Sequence, residues 1–216
     1  MPMVFQNKND ILKYPKTSPK KGALKMHGII LAGGKSTRMQ ANKSFEKIKG
    51  RTLIEIIVNI LKPIFNDKII IITNETELYG HLNVRLHRDL LQGKGPLGGI
   101  YTGLMVSPSF YNFFLPCDMP FVNGEAIEYM IQEKEGYDVI VPVIRGYIEP
   151  LYGIYSKNCT KPIETCLLKN RLQVKCFYPL VRVKTIPETA FKKMDPQLKM
   201  FVNINTRKEL SLAQTL

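Results

Sequence analysis

The sequence predicts a single three-layer α/β domain with a mostly parallel central sheet and helices on both faces. Three observations carry that reading. A chain of 216 residues with 44% hydrophobic residues can bury one sizeable core. From His27 onward, short apolar runs alternate with segments of helical period. Glycines or polar residues close most of the apolar runs, as expected where strands feed loops. There is no internal repeat and no second domain boundary.

The elements follow in order. "GIILAG" (28–33) is a short apolar run ending in glycine, read as a buried strand. "TLIEIIVNILK" (52–62) has Leu53, Ile56, Ile57, Ile60 and Leu61 at helical spacing, with Pro63 expected to end the helix. "KIIIITN" (68–74) is a second buried strand, and a short helix near 75–80 leads to a third at "NVRLH" (83–87). After the glycine-rich "LQGKGPLGG", a helix over 98–106 precedes the strand "YNFFLPCD" (111–118). "EAIEYMIQEK" (125–134) is an amphipathic helix and "YDVIVPV" (137–143) a strand. "PLYGIYS" and "LVRVKTI" are strands around a helix at 158–169, and "NTRKELSLAQ" (205–214) closes the chain as a capped helix.

Residues 1–26 read as a basic, flexible extension before a domain spanning 27–216. "KYPKTSPKKGALK" mixes Pro, Ser, Gly and Lys without an apolar period, and Met26 directly precedes the first strand. The extension holds six lysines against Asp10, so it carries +5 of the formal net charge of +13. Such a balance favours anionic partners. A nucleic-acid interface would show a dense basic stripe with interleaved aromatics or a recognisable module. Neither is present, so no nucleic acid is expected as partner. No run of eighteen apolar residues indicates a membrane span, and the first residues lack the apolar core of a signal peptide. Four cysteines without a C-x-x-C pair and three histidines favour neither a zinc site nor a disulfide framework. The expected location is the cytoplasm.

"ILAGGKSTRM" (30–39) contains Gly-Lys-Ser-Thr, as a P-loop does, but the P-loop register fails. Counting back from Gly34-Lys35-Ser36 lands on Ile29, and starting from Gly28 puts Gly34 where lysine belongs. A different phosphate loop is needed. In open α/β sheets, ligands bind beyond the carboxyl ends of the strands. Gly33-Gly34, Asn74, Arg88-Asp89 and Cys117-Asp118 follow the first four major strands. One edge is therefore expected to gather carboxylates, basic groups and backbone N–H donors suited to a triphosphate with a metal.

These residues also carry a resemblance that covers nearly everything after the extension. "LAGGKSTRM", "NKSF", "RDLLQGKGPLGGIYTGL", "LPCDMPFV", "EPLYGIYS" and "FVNINTRKEL" occur in order. The chain resembles the molybdenum cofactor guanylyltransferases, within the Rossmann-like nucleotidyltransferases. It departs from their pattern at Gln40, where Gly is usual, and at Asn42, where Asp is usual. The resemblance implies attack by a terminal phosphate oxygen of molybdopterin on the α-phosphorus of GTP, with release of pyrophosphate. The nucleophile is already an anion, so positioning and charge neutralisation matter more than a general base.

The resemblance also implies roles. Leu31, Ala32 and Gly33 meet the nucleotide through the backbone, because a side chain at Gly33 would obstruct close approach. Arg38 and Lys35 reach the β- and γ-phosphates, Lys43 reaches the α-phosphate, and Asp118 binds Mg2+. Arg38, Lys43 and Asp118 are the expected catalytic set. Asn74 and Asp89 are assigned to the nucleoside, Asn205 to a second metal contact and Glu149 to the pterin side. Leu97, after Gly95-Pro96, favours GTP over CTP. The expected partners are GTP, molybdopterin and other cofactor-biosynthesis or acceptor proteins, with no membrane. Simpler roles compete: a solvated Lys35, a turn-capping Asn74, an Asp89–Arg88 salt bridge and an Asn205 helix cap. Two other functions also compete. One is a related transferase using CTP, or acting on a sugar phosphate or cobinamide phosphate; the other is a non-catalytic nucleotide- or nucleic-acid-binding module.

Overall fold

The computed structural model describes residues 26–33 and 43–214. Residues 1–25 of the extension, Gly34, Lys35, Arg38, Gln40 and Asn42 lie outside the described residues.

Strand β1 (His27–Leu31) is followed by a small antiparallel hairpin, β2 (Lys47–Ile48) and β3 (Arg51–Thr52). Helix α1 (Leu53–Phe65) begins with a reciprocal cap. Thr52 Oγ1 accepts from the Glu55 N–H at 3.3 Å, and the Glu55 carboxylate accepts from the Thr52 N–H at 2.8 Å. Pro63 does not end this helix as expected; it lies within the last turn. The helix stops at Asn66, which adopts a left-handed conformation and donates its N–H to Lys62 O.

Strands β4 (Ile69–Ile72) and β5 (Arg85–His87) follow, then α2 (Gly95–Val106), β6 (Tyr111–Pro116) and α3 (Gly124–Gln132). Strand β7 (Val139–Ile144) turns back through β8 (Tyr147–Ile148), and β9 (Gly153–Ser156) leads to α4 (Thr160–Leu168). Strand β10 (Val183–Pro187), α5 (Glu188–Phe191) and α6 (Arg207–Ala213) complete the fold. The expected helix at 75–80 is instead two 3-10 turns, Thr76–Leu78 and Gly80–Leu82.

The main sheet runs β10-β7-β9-β6-β1-β4-β5, with β8 paired to β7. Six of its strands point the same way, while β9 and β8 run against them. Alternation along each strand feeds two cores. Ile30, Ile69, Ile71, Phe113 and Leu115 face α1 and α3, whereas Ile29, Ile70, Ile72 and Phe114 face α2 and α4. Met26 is already part of the first core.

Gly103 shows how closely α2 lies on the sheet. A Cβ there would stand 2.6 Å from Phe114 Cε1 and 3.0 Å from Ile29 Cδ1, both on fully buried side chains. Overpacking of this kind costs about 3 kcal/mol at its upper end, and Ala gains about 1 kcal/mol over Gly in a helix. Gly103→Ala should therefore destabilise the fold by about 2 kcal/mol, read as a lowered denaturation midpoint at unchanged slope.

Candidate functional site

Parallel register builds the site. Pro116 pairs with Leu31, Leu31 with Ile72, and Ile72 with His87, so one row crosses β6, β1, β4 and β5. Asp118, Gly33, Asn74 and Asp89 each stand two residues beyond that row. At about 4.8 Å per strand, the four exits span about 14 Å along one edge. The chain departs from β1 toward β4 and β5 on one side, then crosses through α2 to β6 on the other. The ends of β1 and β6 therefore form the switch point where open sheets bind ligands.

Backbone bonds hold this corner: Ala32 N donates to Ile72 O at 2.9 Å and Cys117 N to Leu31 O at 3.1 Å. Leu31 and Ala32 are buried, while Gly33 is exposed, and among the described residues a Cβ at Gly33 would meet no atom within 4 Å.

Asp118 is half-buried in the turn after β6, and burial pushes its carboxyl above the ordinary value; the facing Lys43 ammonium and a backbone hydrogen bond oppose that shift, while the Glu209 charge adds to it. Lys43 begins a 3-10 turn, Lys43–Phe45. That turn is anchored by Tyr79, whose hydroxyl donates to the buried Ser44 Oγ at 3.0 Å and whose ring lies 5.0 Å from Phe45. Lys43 Nζ donates to Asn205 Oδ1 at 2.8 Å. The segment after a 3-10 turn at Lys199–Phe201 reaches the same corner, because Ile204 N donates to Asp118 O at 2.8 Å. Asp118, Lys43, Asn205 and Gly33 are thereby brought together.

The other assignments divide. Asn74 is exposed at the edge, and Thr73, not Asn74, accepts the turn hydrogen bond from Glu75 N at 3.2 Å. Asp89 does not pair with Arg88, which instead faces Glu77 at 3.6 Å. Its Oδ1 accepts from Thr102 Oγ1 at 2.7 Å and Leu91 N at 3.1 Å, tying the loop after β5 to α2. Asn205 is not the cap of α6: Thr206 Oγ1 accepts from Glu209 N at 3.2 Å, and the Glu209 carboxylate accepts from Thr206 N at 2.9 Å. Glu149 directly follows β8, donates its N–H to Pro142 O of β7 at 3.0 Å, and has its carboxyl raised by burial.

Gly95–Gly99 is the first turn of α2, not a loop. Pro96 suits that place because a helix start leaves its missing N–H unneeded. Gly98 and Gly99 serve packing there: a Cβ on Gly98 would stand 2.9 Å from Lys94 Cβ, and one on Gly99 would stand 3.1 Å from Leu31 Cδ2. Leu97 is fully buried in the core beside α2, so any effect on base choice passes through how the helix sits.

Similarity to known proteins agrees with this geometry. The profile of the MobA-like NTP transferase domain matches residues 28–183. The chain belongs to this family of nucleotidyltransferases. A probable molybdenum cofactor guanylyltransferase of Pelotomaculum thermopropionicum is 36% identical over 194 residues, covering 89% of this chain and 94% of that relative. A molybdenum cofactor guanylyltransferase of Desulfosudis oleivorans is 38% identical, covering 87% and 93%. Among solved structures, molybdopterin-guanine dinucleotide biosynthesis protein A from Archaeoglobus fulgidus superposes with a TM-score of 0.76 at 26% identity, covering 88% of this chain and 97% of that one.

The MobA-like domain as matched does not account for the whole corner. Asn205 lies 22 positions beyond residue 183. Its bond to Lys43 is not foreseen from the sequence. One signal was legible: Thr206 to Glu209 reads T-R-K-E, a capping-box pattern that assigns the cap to Thr206 and leaves Asn205 free for another partner.

Proposed function

We propose that this transferase moves a guanylyl group from GTP to the terminal phosphate of molybdopterin in the cytoplasm, forming the guanine dinucleotide cofactor and pyrophosphate. The observation that carries the proposal is the corner itself: an exposed glycine, a half-buried carboxylate and a lysine ammonium at the switch point of a parallel sheet. The names of the relatives supply the substrates. The bond formed joins the acceptor phosphate oxygen to the α-phosphorus; the bond broken is from the α-phosphorus to the oxygen bridging to the β-phosphate, which leaves with pyrophosphate.

Lys43 lies where negative charge gathers as two phosphates approach, and its ammonium offsets that charge without a proton transfer. Gly33 lets the nucleotide lie against main-chain N–H and C=O groups. Asn74 and Asp89, further along the edge, are assigned to the nucleoside, and Arg38 to the outer phosphates. The Asp118 carboxylate is an oxygen donor of the kind Mg2+ takes, and the Asn205 carboxamide oxygen, which already accepts from Lys43, would supply a second, with triphosphate oxygens and water as the remaining ligands. Bound there, Mg2+ would neutralise phosphate charge. Among the described residues no group of three or more His, Cys, Asp or Glu side chains could hold a metal, which fits an ion bound largely through its nucleotide.

Pyrophosphate release measured with each of GTP, CTP, ATP and UTP, with and without molybdopterin, tests the proposal. Release with GTP that requires molybdopterin is expected. Release with CTP alone, or with a sugar phosphate or cobinamide phosphate in place of the pterin, would assign the chain to another transferase reaction. Nucleotide binding without release under any condition would leave a binding module.

A further inference from the structure

The short segment Ile204–Glu209 touches the site at several points and lies beyond residue 183, where the matched family domain ends. It is tied down in three directions. Ile204 N donates to the main-chain oxygen of Asp118 at 2.8 Å. The side chain of Asn205 accepts from Lys43 Nζ at 2.8 Å. The main chain of Asn205 donates to Glu209 Oε2 at 2.7 Å, and the same oxygen accepts from Thr206 N at 2.9 Å.

An ordinary capping box needs only the second of those Glu209 bonds. The shorter one, to Asn205, extends the fork one residue before the cap and fixes the peptide whose side chain holds Lys43. Both N–H groups donate to one carboxylate oxygen, so the two bonds are charge-assisted and hold the turn as a unit. Lys43 itself has a long, flexible stem, and much of its value at a phosphate depends on being held in place beforehand.

We propose that Glu209 is a positioning residue for nucleotide binding and transfer, acting through Asn205 to hold Lys43 beside Asp118. This rests on the reading of Lys43 as a phosphate-binding lysine. The C-terminal helix is then part of the active site and not merely a closing element of the fold. A triphosphate arriving at Lys43 finds the ammonium already directed to the corner by a carboxamide that is itself fixed by a carboxylate.

The test is a double-mutant cycle on the full chain, with Glu209→Ala, Glu209→Gln, Lys43→Ala and the Glu209→Ala/Lys43→Ala pair. Affinity for N-methylanthraniloyl-GTP is read by fluorescence, kcat and KM by pyrophosphate release, and folding by thermal melting. Glu209→Ala should weaken nucleotide affinity about tenfold, within the range expected for residues coupled in one network. Glu209→Gln keeps an oxygen that accepts both N–H groups and should stay within about twofold of the parent. In the Lys43→Ala background Glu209→Ala should cost nothing further in affinity, because the group it positions is gone.

A purely structural cap predicts otherwise: Glu209→Ala would lower the melting temperature and leave affinity, KM and kcat as in the parent. That result, or losses that simply add to those of Lys43→Ala, would overturn the proposal. Parent protein that binds the nucleotide analogue yet releases no pyrophosphate with molybdopterin would defeat the guanylyl-transfer reading alone, and the affinity cycle would still decide the role of Glu209. Failure of the parent to bind any of the four triphosphates would overturn both.

Discussion

Asp118→Asn should lower pyrophosphate release by orders of magnitude while the protein becomes slightly more stable. The substitution keeps size and shape and removes the charge proposed to bind Mg2+. Among the described residues no group of three or more His, Cys, Asp or Glu side chains could hold a metal, and Mg2+ usually takes one or two carboxylates, so loss of one is a large share of its protein ligands. Removing a single well-placed electrostatic group from an active site commonly costs about 10²–10³ in kcat, and loss of the metal ligand should reach or exceed that. Raising the magnesium concentration should recover part of the rate.

The stability half of the prediction follows from the raised carboxyl. A group whose folded value lies above its unfolded value favours folding when protonated, and that advantage is lost as pH rises through the folded value. At neutral pH the parent therefore holds a half-buried charge at a cost, and the neutral carboxamide of the variant removes it. The melting temperature of Asp118→Asn should exceed that of the parent at pH 7, and the gap should close on acidification toward the ordinary aspartate value of about 3.8. Normal turnover by the variant at the same magnesium concentration would make Asp118 structural and move the site elsewhere.

Lys43→Ala should raise KM for GTP and slow transfer together, by about 10²-fold in kcat/KM, again on the scale of one lost electrostatic contact. The side chain is half-buried and its hydrogen-bond partner is a neutral carboxamide, but its ammonium also faces the half-buried Asp118 carboxylate, so its removal should cost some stability at neutral pH while the fold is kept. Lys43→Arg is not expected to rescue, because a planar guanidinium cannot place its charge as the compact ammonium does on the same carboxamide. Unchanged GTP affinity and turnover in Lys43→Ala would remove the lysine from the site.

How much of this was legible in the sequence depended on how local the cause was. Ile69–Ile72 and Tyr111–Pro116 were readable as strands because an unbroken apolar run is what a sheet buried on both faces requires. Helices α1 and α3 are legible from their period, although Pro63 does not make the stop it suggests. A proline in the last turn forgoes one hydrogen bond where the helix is ending in any case, and Asn66 in the left-handed region makes the stop. Helix α2 starts at Gly95 and not at 98 as expected, and small size serves packing at two of its glycines: Lys94 and Leu91 lie against Gly98, and Leu31 against Gly99. The two-residue strands β2, β3 and β8 left no periodic trace at all.

By itself the sequence determined the α/β class, the order of the major elements and the edge at which Gly33, Asn74, Asp89 and Asp118 emerge, because strand polarity and loop position follow from local patterns along the chain. Only the tertiary structure decided which of those groups act together. Asp89 turned out to be engaged by Thr102 of α2, and Lys43 to be held by Asn205, 162 residues away. The physical reason is that a hydrogen bond between distant side chains leaves no period and no spacing in the sequence. It exists only once the sheet register and the packing of α2 and α6 have set the two backbones in place.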